Sequence, residues 1–213
     1  MFCVSPEQSI PVHSLDSEDL EAWAASAEAG ERAWVEASGF EAKPGSFLLV
    51  PDGGGGIGRV LAGREPGDRL WALAHLPGEL PAGDYRLEND WPEAQRERAA
   101  IGWGLGCYRF GRYKTMDAAA ARLALAADDE HRIRTLVESE NFVRDLVNTP
   151  AIDLGPAELA QSARDLAREH GAEFKVFEGE ELEREFPAIH VVGQAASRGP
   201  RLIRMQWGRA DAP

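Results

Sequence analysis

Cys107 is the side chain whose type and neighbours come nearest to nucleophilic chemistry in this chain of 213 residues. Tyr108 and Arg109 follow it directly, and a cation beside a thiol favours the reactive thiolate. A thiol nucleophile also needs a base, and no histidine stands at a spacing that would supply one. The pattern therefore favours a buried structural cysteine, and a free-standing enzyme that uses Cys107 is the alternative.

Two glycine-rich runs invite comparison with phosphate-binding loops. Gly53–Gly56 is followed by Ile57 and Gly58, whereas a P-loop ends in Gly-Lys-Ser/Thr. Gly102–Gly106 contains Gly-x-Gly, but no predicted strand precedes it and the third glycine of a dinucleotide fingerprint is missing. We interpret the first run as a hairpin loop and the second as small residues that let a helix pack closely.

Histidines and carboxylates show no spacing typical of a metal or acid–base centre. No HExxH pattern occurs, and His190, between Ile189 and Val191, is interpreted as a core histidine. The acidic run 128–130 suits the start of a helix, and Glu178–Glu185 is interpreted as a solvated helix face. Neither run separates an acid from a base as hydrolysis requires, so we assign no catalytic, cofactor-binding or metal residue. The five histidines are His13, His75, His131, His170 and His190.

One basic, aromatic cluster lies at residues 108–114. It could bind an anion or an acidic neighbouring domain. Because few other basic residues lie nearby, an intramolecular salt-bridged turn is the favoured interpretation. Its members are Tyr108, Arg109, Arg112, Tyr113 and Lys114.

The net charge of −13 is concentrated in the N-terminal half, where residues 1–100 hold 18 Asp/Glu against 8 Lys/Arg. An acidic surface repels phosphate, so we do not expect nucleic acid as a partner. Two cysteines cannot build a disulfide framework, which predicts reduced thiols and a cytoplasmic protein. We find neither a signal peptide nor an apolar run of ~20 residues, so no membrane partner is expected.

Hydrophobic periodicity predicts an α/β fold. Residues 17–37 are predicted to form one broken helix or two short helices, with Ser17 as the cap and Gly30 as the interruption. An apolar stripe from Ile133 to Val147 predicts the clearest helix, which Pro150 prevents from continuing. The predicted helices cover 17–37, 92–108, 129–147, 156–170 and 180–185. The predicted strands cover 46–50, 57–62, 70–75, 84–87, 122–126, 173–177 and 202–207.

Three stretches resemble the M17 leucyl aminopeptidase family, particularly a bacterial branch. The resemblance runs from about Phe47 onward, and its most specific part is the turn around Asn148–Pro150. One departure is Ile152, where many relatives carry Asn. The stretches are LPAGDYRLEND at 80–90, GWGLGCYRFGRYK at 102–114, and NTPAIDLGPAELA at 148–160 with VVGQAASRGPRLIRMQWG at 191–208.

This resemblance implies a two-metal enzyme that removes N-terminal residues from peptides. Two divalent metals, zinc or manganese, would activate water and polarise the scissile carbonyl. The family's ligand stretches, Gly-Lys-Gly…Asp-Ser/Thr-Gly-Gly and Asn-Thr-Asp-Ala-Glu-Gly-Arg, do not occur up to Pro213. We therefore expect no metal in this chain and predict that it is inactive alone. A non-catalytic assembly or regulatory module is the alternative.

The same resemblance predicts the domain organisation. A small N-terminal mixed-sheet α/β domain would cover 1–127, a long linker helix 128–147, and an incomplete, truncated α/β catalytic domain 148–213. Relatives of this type act on peptide substrates and assemble as hexamers, so a homo-oligomer is implied for the full-length enzyme.

Overall fold

Helices and strands alternate along most of the chain, and together they confirm the predicted α/β class. A computed structural model of the protein describes residues 1–4 and 9–209. The fold divides into two compact units between residues 143 and 144. The predicted domain limits (1–127, 128–147 and 148–213) come from a family resemblance rather than from compactness, so they remain a prediction.

The first unit is built on a mixed sheet, as predicted. Among the described residues its strand order is β1-β6-β5-β2-β4-β3. Neighbouring strands are parallel except β3 and β4, which form an antiparallel hairpin at one edge. The strands are β1 Phe2–Cys3, β2 Ile10–Leu15, β3 Phe47–Pro51, β4 Ile57–Gly63, β5 Gly83–Leu87 and β6 Ala121–Ala124.

The β3–β4 hairpin confirms that the first glycine run is a hairpin loop. Asp52 closes the loop, because its Oδ1 accepts from the amides of Gly54 at 2.7 Å and Gly56 at 2.9 Å. Gly53 and Gly55 have φ values of 78° and 95°, which glycine adopts without a side-chain clash. The loop's amide groups are thus partly satisfied by the chain's own carboxylate.

Two short helices, α1 Ser17–Ser26 and α2 Ala29–Ser38, agree with the prediction of one broken or two short helices over residues 17–37. The cap is Asp16 rather than Ser17, since Asp16 accepts from the amide of Asp19 at 3.0 Å. The break falls at Ala27, where the backbone is extended, and Gly30 lies inside α2.

One predicted strand is wrong. Residues 70–75 form bends and turns that lead into a single 3₁₀ turn at Leu76–Gly78. Leu73 and Leu76 are fully buried, so the apolar alternation marks a packed irregular segment rather than a strand. Helix α3 covers Glu93–Gly106 and is therefore slightly shorter than the predicted helix of residues 92–108.

The sheet of the first unit has a hydrophobic core on each face. Trp23 of α1 and Val35 of α2 pack with Leu61 of β4. Trp103 of α3 belongs to the larger core, which includes Val60, the strand neighbour of Leu61. Because successive side chains of a strand point to opposite faces, α1 and α2 cover one face and α3 covers the other.

Helix α4 spans Ala127–Asn148, which confirms the clearest predicted helix. Only part of its apolar stripe is buried. Ile133 and Val137 are buried in the larger core, whereas Leu136 is 48% exposed and Val147 is 78% exposed.

The second unit contains three helices and a two-stranded antiparallel sheet among its described residues. Strand β7 has the predicted bounds, and the apolar segment 188–192 belongs to a short helix. Ala160 and Ala167 form the buried side of α5. The elements are α5 Pro156–Glu169, β7 Glu173–Phe177, α6 Gly179–Glu185, α7 Pro187–Gly193 and β8 Leu202–Gln206.

Candidate functional site

The carboxyl ends of the parallel strands in the first unit hold a buried arginine. Arg64 directly follows β4, is 4% exposed, and places Nη1 2.8 Å from Oδ2 of Asp16. Its Nη2 pairs with Asp19. The Asp19 amide, ahead of the Arg64 charge, holds the pKa of Asp16 below its usual range. The arginine therefore joins the end of β4 to the start of α1.

Two further side chains close the same edge of the sheet. The guanidinium of Arg69 lies 4.4 Å from the ring centroid of Trp91, and its Nε donates to Oε1 of Gln95 at 3.1 Å. Asn89 accepts from the amide of Ser14 and donates to its carbonyl, both at 2.8 Å. Open α/β sheets bind ligands at this edge. Here the chain's own side chains fill it.

The environment of Cys107 opposes the nucleophile alternative. The thiol is partly buried at the end of α3. Burial raises its pKa, against smaller opposing effects of the N-terminal amine and Arg109. A raised pKa disfavours the thiolate, so the structural interpretation of this cysteine is the better supported one.

Gly102 and Gly106 confirm the close-packing interpretation of the second glycine run. A Cβ on Gly102 would overlap the carbonyl oxygen of Leu70, and one on Gly106 would overlap that of Ala74. Helix α3 thus contacts the backbone of residues 70–74 directly.

The basic cluster is not the predicted salt-bridged turn. Arg109 donates to the carbonyl oxygens of Gly106 at 3.0 Å and Tyr108 at 2.8 Å. Arg112 lies 5.9 Å from the ring centroid of Tyr113. Across residues 1–4 and 9–209, neither these arginines nor Lys114 pairs with a carboxylate.

The histidines stay scattered in the structure. Burial lowers the pKa of both His13 and His75, with Arg59 as the next cause at His13. His190 is not a core residue, because α7 has no buried residue and the adjacent Val191 is 63% exposed. Within the described part of the chain, no three His, Cys, Asp or Glu side chains are grouped to hold a metal ion.

The two acidic runs have different surroundings. Residues 128–130 lie in the first turn of α4, as predicted from the helix dipole. In the second run Glu178 pairs with Arg201 at 2.8 Å and Glu181 with Lys175 at 2.8 Å. This run is therefore partly ion-paired, where a solvated helix face was predicted.

The turn before α5 is the best-defined polar feature of the second unit. Arg198 donates from Nη1 to the carbonyl oxygen of Ala151 at 3.0 Å and from Nη2 to that of Ile152. Glu158 accepts from the amide of Gly155 at 2.9 Å and lies 3.8 Å from Arg198. The backbone amide of Glu158 itself, followed by the Gly155 amide and the charge of Arg198, lowers the pKa of Glu158. Sequence reasoning missed Arg198, which lies 46 residues from Ile152.

An open cleft of about 390 Å³ lies beside this turn. Its lining is mostly apolar, and Arg201 is the charged member. The sequence analysis assigned no catalytic or binding role to any residue that lines this cleft. The lining residues are Leu154, Gly155, Pro156, Leu159, Pro200, Arg201 and Ile203.

Comparison with known proteins identifies both units. The M17 aminopeptidase N-terminal domain matches residues 10–126, and the catalytic domain of the cytosol aminopeptidase family matches residues 141–213. A probable cytosol aminopeptidase of Leifsonia xyli subsp. xyli is 28% identical over 216 residues, which cover 92% of this chain and 43% of that protein. One of Geobacter sp. (strain M21) is 37% identical over 155 residues, covering 66% and 31%.

Solved structures agree with these sequence matches. The cytosol aminopeptidase of Coxiella burnetii superposes with a TM-score of 0.92 at 36% identity, covering 98% of this chain and 46% of that one. The bottromycin maturation enzyme BotP in complex with Mn shares the fold, with a TM-score of 0.74, 23% identity and coverage of 95% and 46%. The chain thus spans less than half the length of these relatives.

Every helix in residues 1–4 and 9–209 is too short or too polar to span a lipid bilayer. The N-terminal-domain match alone covers more than half of the chain, and the catalytic-domain match follows it in the family's order. The chain belongs to the M17 aminopeptidase family.

Proposed function

We propose that this chain is the N-terminal portion of an aminopeptidase that removes N-terminal residues from peptides with the help of divalent metal ions. The observation that carries the proposal is the succession of the two family matches, residues 10–126 and then 141–213, in a chain that covers 46% of the Coxiella structure. The family's activity, peptide substrates and metals are inferred for the whole protein from this relationship.

The donor set described here does not fit a two-metal centre. Such a centre needs clustered carboxylates and other donors to hold the ions that activate water. The described residues bring no three such groups together, and the Glu158 carboxylate is engaged by Gly155 and Arg198. We therefore assign no catalytic step to these side chains, and we propose that the chain alone does not hydrolyse peptides.

A complementation assay tests this function. The 213-residue chain is assayed with leucine-p-nitroanilide and manganese, first alone and then co-expressed with the part of the Coxiella enzyme that it does not cover. We expect no turnover by the chain alone and turnover by the reconstituted pair. Turnover by the chain alone would contradict the proposed inactivity, and a purified, assembled pair without turnover would contradict the proposed function.

We also propose the domain division that the resemblance implies, with domain limits at 1–127, 128–147 and 148–213. The proposal is supported by α4, whose bounds, Ala127–Asn148, nearly coincide with the proposed linker helix. Limited proteolysis followed by intact mass measurement tests it. Stable fragments that begin or end within the middle of α4 would contradict a continuous linker helix.

A non-catalytic assembly or regulatory module is the second candidate. The acidic excess of the N-terminal half favours it, because such a surface attracts basic partners. A pulldown with the 213-residue chain tests it. Recovery of nothing except copies of the same protein would oppose a regulatory partner.

A cytoplasmic location and a hexamer are proposed for the whole protein on the strength of its relatives, which are named cytosol aminopeptidases. Cell fractionation tests the first. Light scattering of the full-length protein tests the second, and a monomer at working concentration would contradict it.

A further inference from the structure

We propose that the outer edge of β3 binds a basic, extended peptide segment of a partner protein as an additional strand of the sheet. The edge groove is defined as the outer side of β3, Phe47–Pro51, together with the adjoining cleft whose lining includes Ser38 and Phe40. The inference is independent of the proposed peptidase function, because it concerns the surface of the first unit only.

Strand β3 lies at the edge of the sheet and leaves backbone groups unpaired. The amide of Gly63 donates to the carbonyl of Ser46 at 2.8 Å, and groups that face the neighbouring strand alternate with groups that face away along an antiparallel strand. Phe47 and Leu49 therefore direct their N–H and C=O groups away from β4. Both N–H groups and the Phe47 carbonyl make no hydrogen bond to any residue that the structure describes. Such a row of groups is a template for a further strand.

One end of this edge is already covered by the chain itself. The indole Nε1 of Trp34 in α2 donates to the carbonyl oxygen of Leu49 at 3.1 Å, which confirms that this carbonyl faces away from β4. Pro51 follows and has no N–H to offer. The Trp34 ring is 46% exposed, so an added strand that pairs with Phe47 can also pack against an aromatic surface.

A cleft of about 240 Å³ adjoins the same edge. Phe47 of β3 and Phe40, which follows α2, are among its lining residues. Ser38 lines it too and lies one helical turn after Trp34, on the same side of α2. Helix α2 therefore borders the edge groove from Trp34 to the cleft. In strand addition the backbone provides the hydrogen bonds, and a cleft of this kind accepts an apolar side chain of the added strand.

The charge around the edge groove determines which segment fits. Residues 16–41 contain eight Asp/Glu and one arginine. Glu28 and Glu36 of α2 are exposed and have no ion-pair partner among the side chains described, and Glu41 lines the cleft. An acidic surface attracts a basic segment and repels an acidic one. A second copy of this chain would bring the same negative charge to the groove, so we assign the groove to a basic segment of a different protein.

Titration of the 213-residue chain with a short labelled peptide tests the proposal. The peptide has an alternating valine–threonine core with lysines at both ends, and its termini are acetylated and amidated so that it is not an aminopeptidase substrate. Fluorescence anisotropy should show saturable binding, and glutamates in place of the lysines should weaken it about tenfold. No saturable binding at about 1 mM protein, or equal binding of the glutamate peptide, would overturn the proposal.

Backbone pairing is tested by a peptide of the same sequence in which every core amide is N-methylated. This peptide keeps the side chains and charges but cannot donate hydrogen bonds to the Phe47 carbonyl, so it should not bind. Binding equal to that of the unmethylated peptide would overturn strand addition, because the side chains alone would then account for the affinity.

Hydrogen exchange followed by NMR locates the contact. In the free chain the amides of Phe47 and Leu49 should exchange faster than that of Leu48, which faces β4. The lysine peptide should slow exchange at Phe47 and Leu49 about tenfold and leave Leu48 unchanged. Binding without this protection would overturn the proposal. Protection that rises with the concentration of the peptide-free chain would overturn it too, because a second copy would then occupy the edge.

Matched variants separate the edge groove from an effect of net charge. Glu41→Lys, in the cleft, should weaken binding of the lysine peptide about tenfold, whereas Glu140→Lys, at an exposed position of α4, should weaken it less than about twofold. The two substitutions change the net charge equally. Equal weakening by both would show that net charge is responsible, and the proposal would be wrong. Thermal unfolding verifies that both variants are folded.

Discussion

Gly102 of α3 lies directly against the carbonyl oxygen of Leu70, with no room between them for a Cβ. The neighbouring atom is backbone rather than the end of a flexible side chain, so it cannot move aside without shifting the 70–74 segment. That segment carries Leu73, which is fully buried in the larger core.

Gly102→Ala should destabilise the first unit by about 3 kcal/mol, because the added methyl overpacks a rigid contact. Chemical denaturation with fluorescence detection measures the change. Gly30→Ala is the matched control, since Gly30 lies within α2 with nothing within 4 Å of its Cβ position. The control should raise stability by about 0.5–1 kcal/mol. Equal effects of the two substitutions would show that the contact with Leu70 does not cause the loss of stability.

Arg64→Met should cost about 2 kcal/mol of folding free energy, because it removes the buried cation that hydrogen-bonds to the mostly buried Asp16 and the partly exposed Asp19. Arg98→Met, at an exposed site on α3, should change stability by no more than about 0.5 kcal/mol. Urea denaturation of both variants gives the comparison. A loss below about 1 kcal/mol for Arg64→Met would contradict a structural role for this ion pair.

The lowered pKa of Asp16 predicts that part of the folding stability is lost in acid. Its pKa is lower in the folded chain than the usual value of 3.8, so its contribution is present above that pH and is lost as the pH falls through the lowered pKa. Asp16→Asn should therefore flatten the stability profile below about pH 4. Urea denaturation between pH 3 and pH 7 measures it. An unchanged profile would exclude Asp16 from the acid response.

His13 predicts a second pH effect at higher pH. Its Nδ1 is buried without a hydrogen-bond partner among the described residues, and burial lowers its pKa below 6.5. The unfolded chain then binds the proton more readily, so stability is present above about pH 6.5 and is lost as the pH falls through the lowered pKa. His13→Leu should stabilise the chain by about 1 kcal/mol, and by more at pH 5 than at pH 8. His131→Leu, at an exposed position, is the control, and an equal pH dependence in both variants would contradict the role of His13.

Arg198→Ala should loosen the turn before α5 and cost about 1 kcal/mol, because two carbonyl oxygens lose their donor. Gly155→Ala should have a similar effect, since its Cβ would lie 2.5 Å from Nη1 of Arg198 and displace the side chain. Cleavage rates at residues 149–155 in limited proteolysis measure the loosening. The double variant should be no worse than either single one, and additive losses would show that the two act separately.

The local sequence pattern was sufficient to predict those elements whose structure depends mainly on their own residues. The β3–β4 hairpin, α4 and β7 follow from periodicity and turn residues within a few positions. The buried face of α5 could not be predicted from the positions of its large apolar residues. Small alanines at positions 160 and 167 pack inward, while the larger Leu159 is 44% exposed.

The central strand β2 was not predicted, and it contains Pro11, although proline normally avoids central strands. Its position explains the tolerance. The amide of Glu88 donates to the carbonyl of Val12 at 2.9 Å, which directs Val12 toward β5. Pro11 then faces the β4 side, where pairing begins only at Val12, so its missing N–H leaves no gap in the ladder.

The polar edge around Arg64 was missed because its members are distant in sequence. Asp16, Arg64 and Asn89 come together only once β2, β4 and β5 lie side by side. Asp16 and Arg64 each directly follow a strand, but the strand before Asp16 was not predicted, so their shared position gave no signal. Parallel strands bring such positions to one edge, but recognising this requires knowing the strand order.

Asn89 extends β5 toward β2 with an amide that matches the backbone of Ser14 donor for acceptor. Slow loss of ammonia from this side chain, as a protein ages, would exchange its donor for a second carboxylate oxygen facing the Ser14 carbonyl. This change, which hardly alters the size of the side chain, would place two oxygens against each other at the carboxyl end of β2 and β5. Deamidation of Asn89 would therefore weaken the connection between β5 and β2.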